Sequence, residues 1–247
     1  MSLEAPQLGG GWLLGDGLFE TCRVMRGQTL LEDHHILRLR RSGEALGFAP
    51  ELIEAGVGQI QTLAERREGL WRVTVVRGGE VDVQYRPVPA RPSPRLMTLR
   101  GFYFPGDELG EHKTLSWMRS AEGLRRAREA GFDEAIRLSP DGQVGEACAG
   151  NVFVLGDDGS WVTPVVDGLL PGVYREAFLE LSRTVGVEIE ERVVWEEELR
   201  RARAVVLTSA GRLFQGAHSL DGREFGGSAG EFVEVMLEVL LKDRLKV

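Results

Sequence analysis

Five short segments of the sequence combine residue types that suit covalent or electrostatic chemistry. They are residues 15–21, 35–39, 113–116, 145–153 and 170–175. Each contains a lysine, a glutamate, an arginine or a glycine turn beside apolar residues. A desolvated lysine amine can attack a carbonyl group, and an arginine or a helix N-terminus can bind an anion.

Lys113 and Glu146 are the two titratable residues with the clearest possible roles. Lys113 opens the segment 113–116, and Glu146 lies among small residues ahead of an apolar run. An amine that forms a covalent bond to a carbonyl must be desolvated and have a depressed pKa. The residues alone leave the ordinary alternatives open, which are a surface lysine and a hydrogen-bonded acid at a strand bend.

Two further segments could contribute to anion binding, and a third has the composition of a turn that enters a strand. Arg38 lies among apolar neighbours on a predicted helix, where an arginine can also snorkel to solvent or pair with a carboxylate. Residues 170–175 place Pro-Gly at the start of a helix, whose first N–H groups are donors. The glycines of 15–21 are equally consistent with a simple turn.

Composition excludes several classes of function. The chain has 247 residues, a net charge of −8 and 43% hydrophobic residues, with acidic and basic residues mixed. This mixture argues against a nucleic-acid binder, and no apolar run approaches the roughly 18 residues of a membrane helix. The N-terminus lacks a secretory pattern, so we expect a cytoplasmic protein. Two cysteines and four histidines show no metal-site spacing, and we expect no metal.

Hydrophobic periodicity predicts alternating strands and helices. In the first part we expect a strand over 19–25, a helix over 34–46 with Asp33 as its N-cap, and a strand over 71–76. In the second part we expect a helix over 120–130, a helix opened by Pro171 and a strand over 204–208. We expect two hairpins, which pair 135–138 with 143–147 and 152–155 with 161–163. The last helix is expected to bury Phe232, Val235, Val239 and Leu240.

Prolines and turns predict where the chain divides. The four prolines within 86–94 exclude a helix interior or a central strand, and 104–107 has the composition of a turn and linker. We therefore predict a smaller N-terminal domain over 1–104 and a larger C-terminal domain over 105–247. The order of elements predicts an α+β fold of two α/β domains with mixed sheets.

The order and spacing of the five segments resemble the class IV (fold-type IV) aminotransferase family, whose cofactor is pyridoxal 5′-phosphate (PLP). That family includes branched-chain and D-amino-acid aminotransferases and 4-amino-4-deoxychorismate lyase. The resemblance extends from about Trp12 to Gly222, and its most specific stretch joins 133–135, Glu146, 151–153, 163–164 and 170–172. Residues 15–21 and the pair Arg38-Leu39 match as well. The resemblance implies a D-amino-acid-aminotransferase-like fold.

The resemblance also implies roles for single residues. Lys113 falls on the Schiff-base lysine, which also carries the catalytic proton, and Glu146 falls on the carboxylate that meets the pyridine nitrogen. Arg38 falls on the phosphate-binding arginine. Gly172 and Val173 fall on the helix start whose backbone amides contact the phosphate. Ser209 and Ala210 fall on a loop that also reaches the phosphate.

Two reactions remain open for such a site. The segment 15–21 and the short chain are similar to aminodeoxychorismate lyase of folate precursor synthesis, and the absent glycine-rich run after Lys113 disfavours branched-chain aminotransferases. Ser116 and Ala210 depart from the usual pattern, so a branched-chain or D-amino-acid aminotransferase is the alternative. A small amino compound is the expected partner, and the resemblance implies a homodimer. The candidates for a substrate carboxylate are Arg23, Arg77 and Arg212, each also a candidate for a structural ion pair.

Overall fold

The computed structural model describes residues 10–90, 92–226 and 229–244. The chain divides into two compact units. The first unit is formed by Met1–Pro87 with His112–Ser116, and the second by Val88–Glu111 with Trp117–Val247. The boundary predicted between residues 104 and 105 falls inside the second unit. The assignment of domains to 1–104 and 105–247 stays a prediction.

The first unit is an antiparallel sheet covered on one face by helices. Its elements are α1 (Gly10–Leu14), β1 (Gly17–Met25), β2 (Gln28–Thr29), α2 (Glu32–Ala45), α3 (Pro50–Gln61), β3 (Gly69–Val76) and β4 (Glu80–Arg86). The strand order is β2-β1-β3-β4. Alternate residues such as Cys22 and Val73 form a core with Leu39 of α2 and Val57 of α3. The side chains between them therefore occupy the opposite face of the sheet.

Helix α2 begins earlier than the sequence predicts. Leu31 is its N-cap and has a left-handed backbone, with φ of 55°, and no side chain caps the helix. Asp33 lies inside the first turn, so its prediction as the N-cap is wrong. Glu32 and Asp33 are instead the acidic residues of the first turn, where they interact favourably with the helix dipole.

The second unit contains two five-stranded sheets. Its elements are β5 (Arg95–Arg100), α4 (Met118–Glu129), β6 (Glu134–Leu138), β7 (Val144–Ala147), β8 (Asn151–Leu155), β9 (Trp161–Pro164), α5 (Val173–Thr184), β10 (Ile189–Arg192), α6 (Glu196–Arg201), β11 (Ala204–Ser209), β12 (Leu213–Gly216), β13 (Ser219–Leu220), β14 (Arg223–Glu224) and α7 (Gly230–Arg244). The strand orders are β10-β9-β8-β11-β12 and β14-β13-β5-β6-β7.

Both sheets of the second unit are mixed, and they share one core. Strand β5 pairs in parallel with β6, whereas β6 and β7 form the predicted antiparallel hairpin. Strands β8 and β9 form the other predicted hairpin. Ile136 of one sheet and Val205 of the other belong to a single buried cluster. The structure thereby confirms an α+β fold with mixed sheets.

Two helices of the second unit differ from their predictions at particular residues. Helix α5 begins at Val173 with Gly172 as its N-cap, so Pro171 precedes the helix. On α7 the buried side chains are Val233, Met236 and Leu240, whereas Val235 is exposed. The predicted face is therefore wrong at Val235, because the helix is rotated toward the stripe that contains Met236.

The connection that the prolines predict is irregular in the structure. Strand β4 ends at Arg86, and the described residues from Pro87 to Pro94 form no helix or strand. Arg91 lies outside the described residues. In the described ranges, no helix has the length and apolar character needed to cross a membrane. The same ranges contain no group of three potential metal ligands among their His, Cys, Asp and Glu residues.

Two glycines of α3 provide a matched test of the packing in the first unit. A Cβ atom at Gly56 would lie 2.5 Å from Val75 Cγ2, whereas a Cβ atom at Gly58 meets nothing within 4 Å. Alanine favours a helix over glycine by about 1 kcal/mol, and overpacking a core costs about 1–3 kcal/mol. We predict that Gly58→Ala raises the free energy of unfolding by about 0.5–1 kcal/mol and that Gly56→Ala lowers it by about 1–2 kcal/mol. Urea denaturation measures both, and equal effects would contradict this packing.

Candidate active site

Lys113 is held by backbone hydrogen bonds beside the start of β1. Phe19 N donates to Lys113 O at 2.9 Å, and Leu115 N donates to Gly17 O at 2.8 Å. Leu18 and Thr114 form an antiparallel bridge. The segment His112–Ser116 thus runs along β1 as a short additional strand, which fixes the Lys113 backbone.

The Lys113 side chain lies over an aromatic ring that a second cation also contacts. Its Nζ atom is 4.6 Å from the centroid of the Phe19 ring, and Arg72 Cζ is 3.6 Å from the same centroid. Both cations gain from the negative face of the ring. Lys113 and Arg72 are half-buried. The reactive amine expected from the sequence is therefore partly shielded from water.

Arg72, which contacts the same ring as Lys113, was not predicted from the sequence as a candidate site residue. Its Nε donates to Thr74 Oγ1 at 3.3 Å, and none of the ion pairs among the described residues includes it. Burial lowers the pKa of Arg72, the charge of Arg86 lowers it further, and Asp82 opposes this. Strand alternation could have identified it, because the buried Val73 next to it places Arg72 on the face that also contains Phe19.

Arg38, the predicted phosphate-binding arginine, is fixed by a buried carboxylate. Its Nε donates to Glu20 Oε1 at 2.8 Å, and its Nη2 donates to Glu20 Oε2 at 2.6 Å. His35, one turn earlier on α2, places Nδ1 2.7 Å from Glu20 Oε2. Glu20 and His35 are 1% exposed and Arg38 is 7% exposed. The sequence analysis assigned no role to Glu20 or His35.

The charge of the Glu20 carboxylate is stabilised by its partners. Burial raises its pKa, but the charge and hydrogen bonds of Arg38, with those of His35, outweigh burial and lower the pKa to about 2. Burial lowers the pKa of His35, which favours the neutral imidazole. The bidentate pair therefore fixes the plane of the Arg38 guanidinium through Nε and Nη2.

Glu146 lies on β7 where that strand bulges against β6. The register shifts between Ile136 and Leu138, so Gly145 and Glu146 together face Arg137. Arg137 Nη2 donates to Glu146 Oε1, and Asn151 Nδ2 donates to Glu146 Oε2 at 2.8 Å. Glu146 is 8% exposed. A β-bulge re-aims side chains, which here brings the carboxylate and the guanidinium to one side of the hairpin.

Asn151 links Glu146 to the predicted phosphate-binding helix start. Its Nδ2 also donates to Leu170 O at 2.8 Å. Its Oδ1 lies against Gly172, where a Cβ atom would be only 1.8 Å from this oxygen. Gly172 is the N-cap of α5, and no side chain caps that helix. The first turn, from Val173, therefore presents backbone N–H donors beside a position that only glycine fits.

The loop after β11 approaches the same asparagine. Thr208 pairs with Asn151 across β11 and β8. A Cβ atom at Gly150 would be 2.5 Å from Thr208 O, so the turn before Asn151 packs directly on the end of β11. Ser209 ends that strand and its Oγ accepts from Arg212 N at 3.3 Å, with Ala210 buried beside it. The Thr208 hydroxyl is buried and has no hydrogen-bond partner among the described residues.

The three candidate arginines for a substrate carboxylate lie in different surroundings. Arg77 donates to Asp16 at 2.8 Å and to the carbonyl oxygens of Leu46 and Gly47, which is the pattern of a structural ion pair. Arg212 is 5% exposed in its side chain, and its Nη2 lies 3.5 Å from Glu134 Oε2. Arg23 is half-buried on β1, and its carbonyl accepts from Leu30 N at 2.9 Å. Their roles toward substrate stay predictions.

The structure brings some predicted residues together and places others in a different unit. Arg23, Arg38, Arg77 and Lys113 belong to the first unit, and the second contains Glu146, Gly172, Val173, Ser209, Ala210 and Arg212. Within the second unit, Asn151 connects Glu146, Gly172 and the end of β11. Asn151 was part of the motif in the sequence, but it had no predicted role.

The residues present fit the chemical groups of PLP. An uncapped helix start at a cramped glycine and the unpartnered Thr208 hydroxyl suit a phosphate. The Arg38 guanidinium is the type of group that binds phosphate oxygens. The Glu146 carboxylate, held by Arg137 and Asn151, suits a protonated ring nitrogen. The half-buried Lys113 amine suits an aldehyde.

Comparison with known proteins identifies relatives over almost the whole chain. D-alanine aminotransferase from Bacillus licheniformis is 26% identical over 89% of this chain and 84% of its own length. A bifunctional aminodeoxychorismate lyase / D-amino acid transaminase from Mycobacterium tuberculosis is 27% identical over 93% of this chain and 91% of its own. The PLP-bound form of a hypothetical aminotransferase from Mycobacterium tuberculosis superposes with a TM-score of 0.82 at 26% identity, covering 99% of this chain and 96% of that one.

A family model provides the assignment of the chain as a whole. The model described as amino-transferase class IV matches residues 17–220, which contain every candidate site residue described above. The fold and the cofactor expected from the sequence are confirmed at the level of the family. The chain belongs to the class IV aminotransferase family, whose enzymes depend on PLP.

Proposed function

We propose that this protein is a PLP-dependent lyase that converts 4-amino-4-deoxychorismate to 4-aminobenzoate and pyruvate in folate precursor synthesis. The observation that carries the proposal is the buried Glu146 carboxylate, which Arg137 and Asn151 hold beside the uncapped start of α5. A relative similar over 93% of the chain is named for this lyase activity. The resemblance of segment 15–21 favours the same reaction.

The proposed cofactor ligands divide by the group that each would hold. Arg38, the backbone amides of Gly172 and Val173, and the loop with Ser209 and Ala210 would bind the phosphate. Glu146 would hold the proton of the ring nitrogen. Lys113 would form the covalent bond. When bound, PLP withdraws electrons from the carbon that bears the substrate amine, which makes a proton there acidic.

Lys113 is the residue that we propose moves the reacting proton. A substrate amine displaces its Nζ atom, which becomes a free base and removes the proton from the amine-bearing carbon of the substrate. Phe19 shields one side of Nζ from water. The ether C–O bond of the enolpyruvyl group breaks, and the ring becomes aromatic. The two products contain all the atoms of the substrate, so the reaction needs no oxidant and no added water.

Arg72 supports a substrate that carries a carboxylate. It is half-buried and outside the ion pairs of the described residues, and it contacts the same ring as the reactive amine. A partly desolvated guanidinium gains most from an anionic partner. We propose that Arg72 binds a carboxylate of the substrate, ahead of Arg23, Arg77 and Arg212.

Transamination is the second candidate, because two relatives are named for it. One is the Bacillus D-alanine aminotransferase, and the other is the bifunctional Mycobacterium enzyme, whose name includes both reactions. Both reactions begin with removal of a proton by the same lysine, so the groups described above serve either.

We also propose a homodimer, as the resemblance implies. We further propose that it acts in the cytoplasm on small amino compounds.

One assay separates the two reactions. We expect the PLP-loaded protein to release pyruvate and 4-aminobenzoate in equal amounts from aminodeoxychorismate. A parallel reaction contains D- or branched-chain amino acids with 2-oxoglutarate, and chromatography quantifies all products. Lys113→Ala should lose both activities and the visible absorbance band of the bound cofactor. Exchange of amino groups without an aromatic product would establish the aminotransferase instead, and an unchanged spectrum of the Lys113→Ala variant would refute the role of Lys113.

Gly172→Ala tests the proposed phosphate site. The new Cβ atom would overlap Asn151 Oδ1, so the helix start and the Glu146 hydrogen bond must both shift. We predict that the dissociation constant for PLP rises by about 10- to 100-fold, which corresponds to the loss of one or two charge-assisted hydrogen bonds. Gly216→Ala is the control, because a Cβ atom there meets nothing within 4 Å. Titration of the apoprotein with PLP measures both constants, and equal affinities would contradict the assignment.

Arg72→Met tests the carboxylate contact. Loss of a charged hydrogen bond costs about 1.5–3 kcal/mol, so we predict that KM for the substrate rises by about 10- to 100-fold while kcat falls less. Arg86→Met removes a neighbouring arginine that is exposed on β4, and it should change KM by less than about threefold. Steady-state kinetics provide the comparison. The same KM in the wild type and the Arg72→Met variant would exclude this role.

A further inference from the structure

The β-bulge at Glu146 brings Arg137 and Glu146 together in an ion pair. Arg137 follows Ile136 on β6, and both Gly145 and Glu146 face it across the hairpin. A Cβ atom at Gly145 would lie 3.0 Å from Arg137 O and 2.7 Å from Tyr103 Cγ, so the strands pack closely here. The bulge therefore fixes Arg137 and Glu146 as direct neighbours.

Arg137 is buried and is committed to Glu146 through one nitrogen. It is 9% exposed, its Nη2 donates to Glu146 Oε1, and its Nε has no hydrogen-bond partner among the described residues. Arg95 of the same sheet differs from Arg137 in its exposure and in its hydrogen bonds. Arg95 uses its Nε and Nη2 to hold Asp133, and its side chain is 53% exposed. Arg137 is thus a buried cation aimed at the proposed cofactor carboxylate.

Arg175 is a second buried cation beside this pair, because it lines the same small cavity as Glu146; it donates to Pro164 O and pairs with Glu191. Tyr103 and Cys148 are neutral, and the further groups that act on them are carboxylates. Burial is the main reason why the pKa of Tyr103 and the pKa of Cys148 are each raised to about 12. For both groups, the charge of Glu146 raises the pKa and the charge of Arg137 lowers it. The carboxylates that also act on Tyr103 or Cys148 are those of Glu134, Asp141 and Asp167. Between pH 5 and 10, neither Tyr103 nor Cys148 loses its proton, so they add no titration to that range.

We propose that Arg137 is a positioning residue that keeps Glu146 ionised and lowers the proton affinity of the cofactor nitrogen that Glu146 faces. The proposal rests on the proposed function, which assigns Glu146 to that nitrogen. A cation in contact with Glu146 makes the carboxylate a weaker base and repels a second positive charge beside it. The anion alone would keep the ring nitrogen fully charged, whereas the pair weakens that charge.

In this role Arg137 does not bind the substrate. It changes how strongly the cofactor ring withdraws electrons from the reacting carbon. A nitrogen that loses its proton withdraws fewer electrons from the reacting carbon. The pH at which it does so therefore sets the upper end of the active range. A merely structural Arg137 would stabilise the hairpin but would leave this pH unchanged, so the titration of the nitrogen distinguishes the two roles.

The test reads the ring nitrogen directly. The wild type and three variants are reconstituted with PLP that is ¹⁵N-labelled at the ring nitrogen, and the ¹⁵N shift is followed from pH 5 to 10. Arg137→Gln removes the charge but keeps an amide donor for Glu146. Arg137→Lys keeps the charge. Arg95→Gln is the control, since Arg95 belongs to the same sheet and pairs with Asp133. The visible absorbance band reports whether the cofactor is bound.

We expect the midpoint of the nitrogen titration to rise by about one pH unit in Arg137→Gln, as removal of one nearby unit charge predicts. Arg137→Lys and Arg95→Gln should remain close to the wild type. A bound cofactor with the same midpoint in Arg137→Gln overturns the proposal. If Arg137→Gln does not fold, a shift of one unit in Arg137→Lys overturns it, because the charge is retained. A wild type that shows no visible band refutes the proposed function itself, which is a separate outcome.

Discussion

The Glu146 carboxylate is buried in the second unit, and its neutralisation determines the local backbone around it. A buried carboxylate is tolerated only when it is paired and hydrogen-bonded. Arg137 supplies the charge and Asn151 supplies a hydrogen bond to the other oxygen. The bulge in β7 is the backbone feature that lets Arg137 reach it. Asn151 then also binds Leu170 O and packs on Gly172, so the same side chain positions the start of α5. The position of the Glu146 carboxylate and the position of the start of α5 therefore depend on the same Asn151 side chain.

The first unit also contains a buried carboxylate that pairs with an arginine, but there the arginine has the proposed role. Glu20 is fully buried, and Arg38 binds both of its oxygens while His35 contacts one of them. In this pair the arginine is the proposed functional group, and the carboxylate serves to orient it. The pKa of Glu20, about 2, shows that its charge persists through the physiological range. Because Arg38 and His35 both come from α2, the angle of that helix on the sheet determines where the Arg38 guanidinium points.

Most elements could be predicted because they depend on residues that are neighbours in sequence. Alternating and turn-rich segments correctly predicted β3 and both hairpins of the second unit. The bulge opposite Arg137 could not be predicted, because a register shift depends on how two strands pair rather than on either strand alone. The start of α2 was misplaced because Leu31 adopts a left-handed backbone, which cap preferences do not reveal. Val235 was misplaced because helical periodicity defines several apolar stripes, and packing selects one of them. Lys113 and Glu146 could be singled out by residue type, but their roles could be assigned only through the family resemblance.

The face of β1 and β3 that contains Phe19 has an excess of positive charge. Lys113 and Arg72 both contact the Phe19 ring. The positive charge of Arg86 also contributes to the lowered pKa of Arg72. Asp82 is the opposing charge that acts on Arg72. Repulsion between the half-buried Arg72 and the exposed Arg86 raises the free energy of the unliganded protein, and an anion bound at Arg72 would relieve it. Under the proposed function, this repulsion would favour a substrate with a carboxylate over a simple amine. Aminodeoxychorismate and α-amino acids both carry a carboxylate, so the carboxylate contact proposed for Arg72 would serve either reaction. The choice between lyase and aminotransferase then depends on the residues that surround the rest of the substrate.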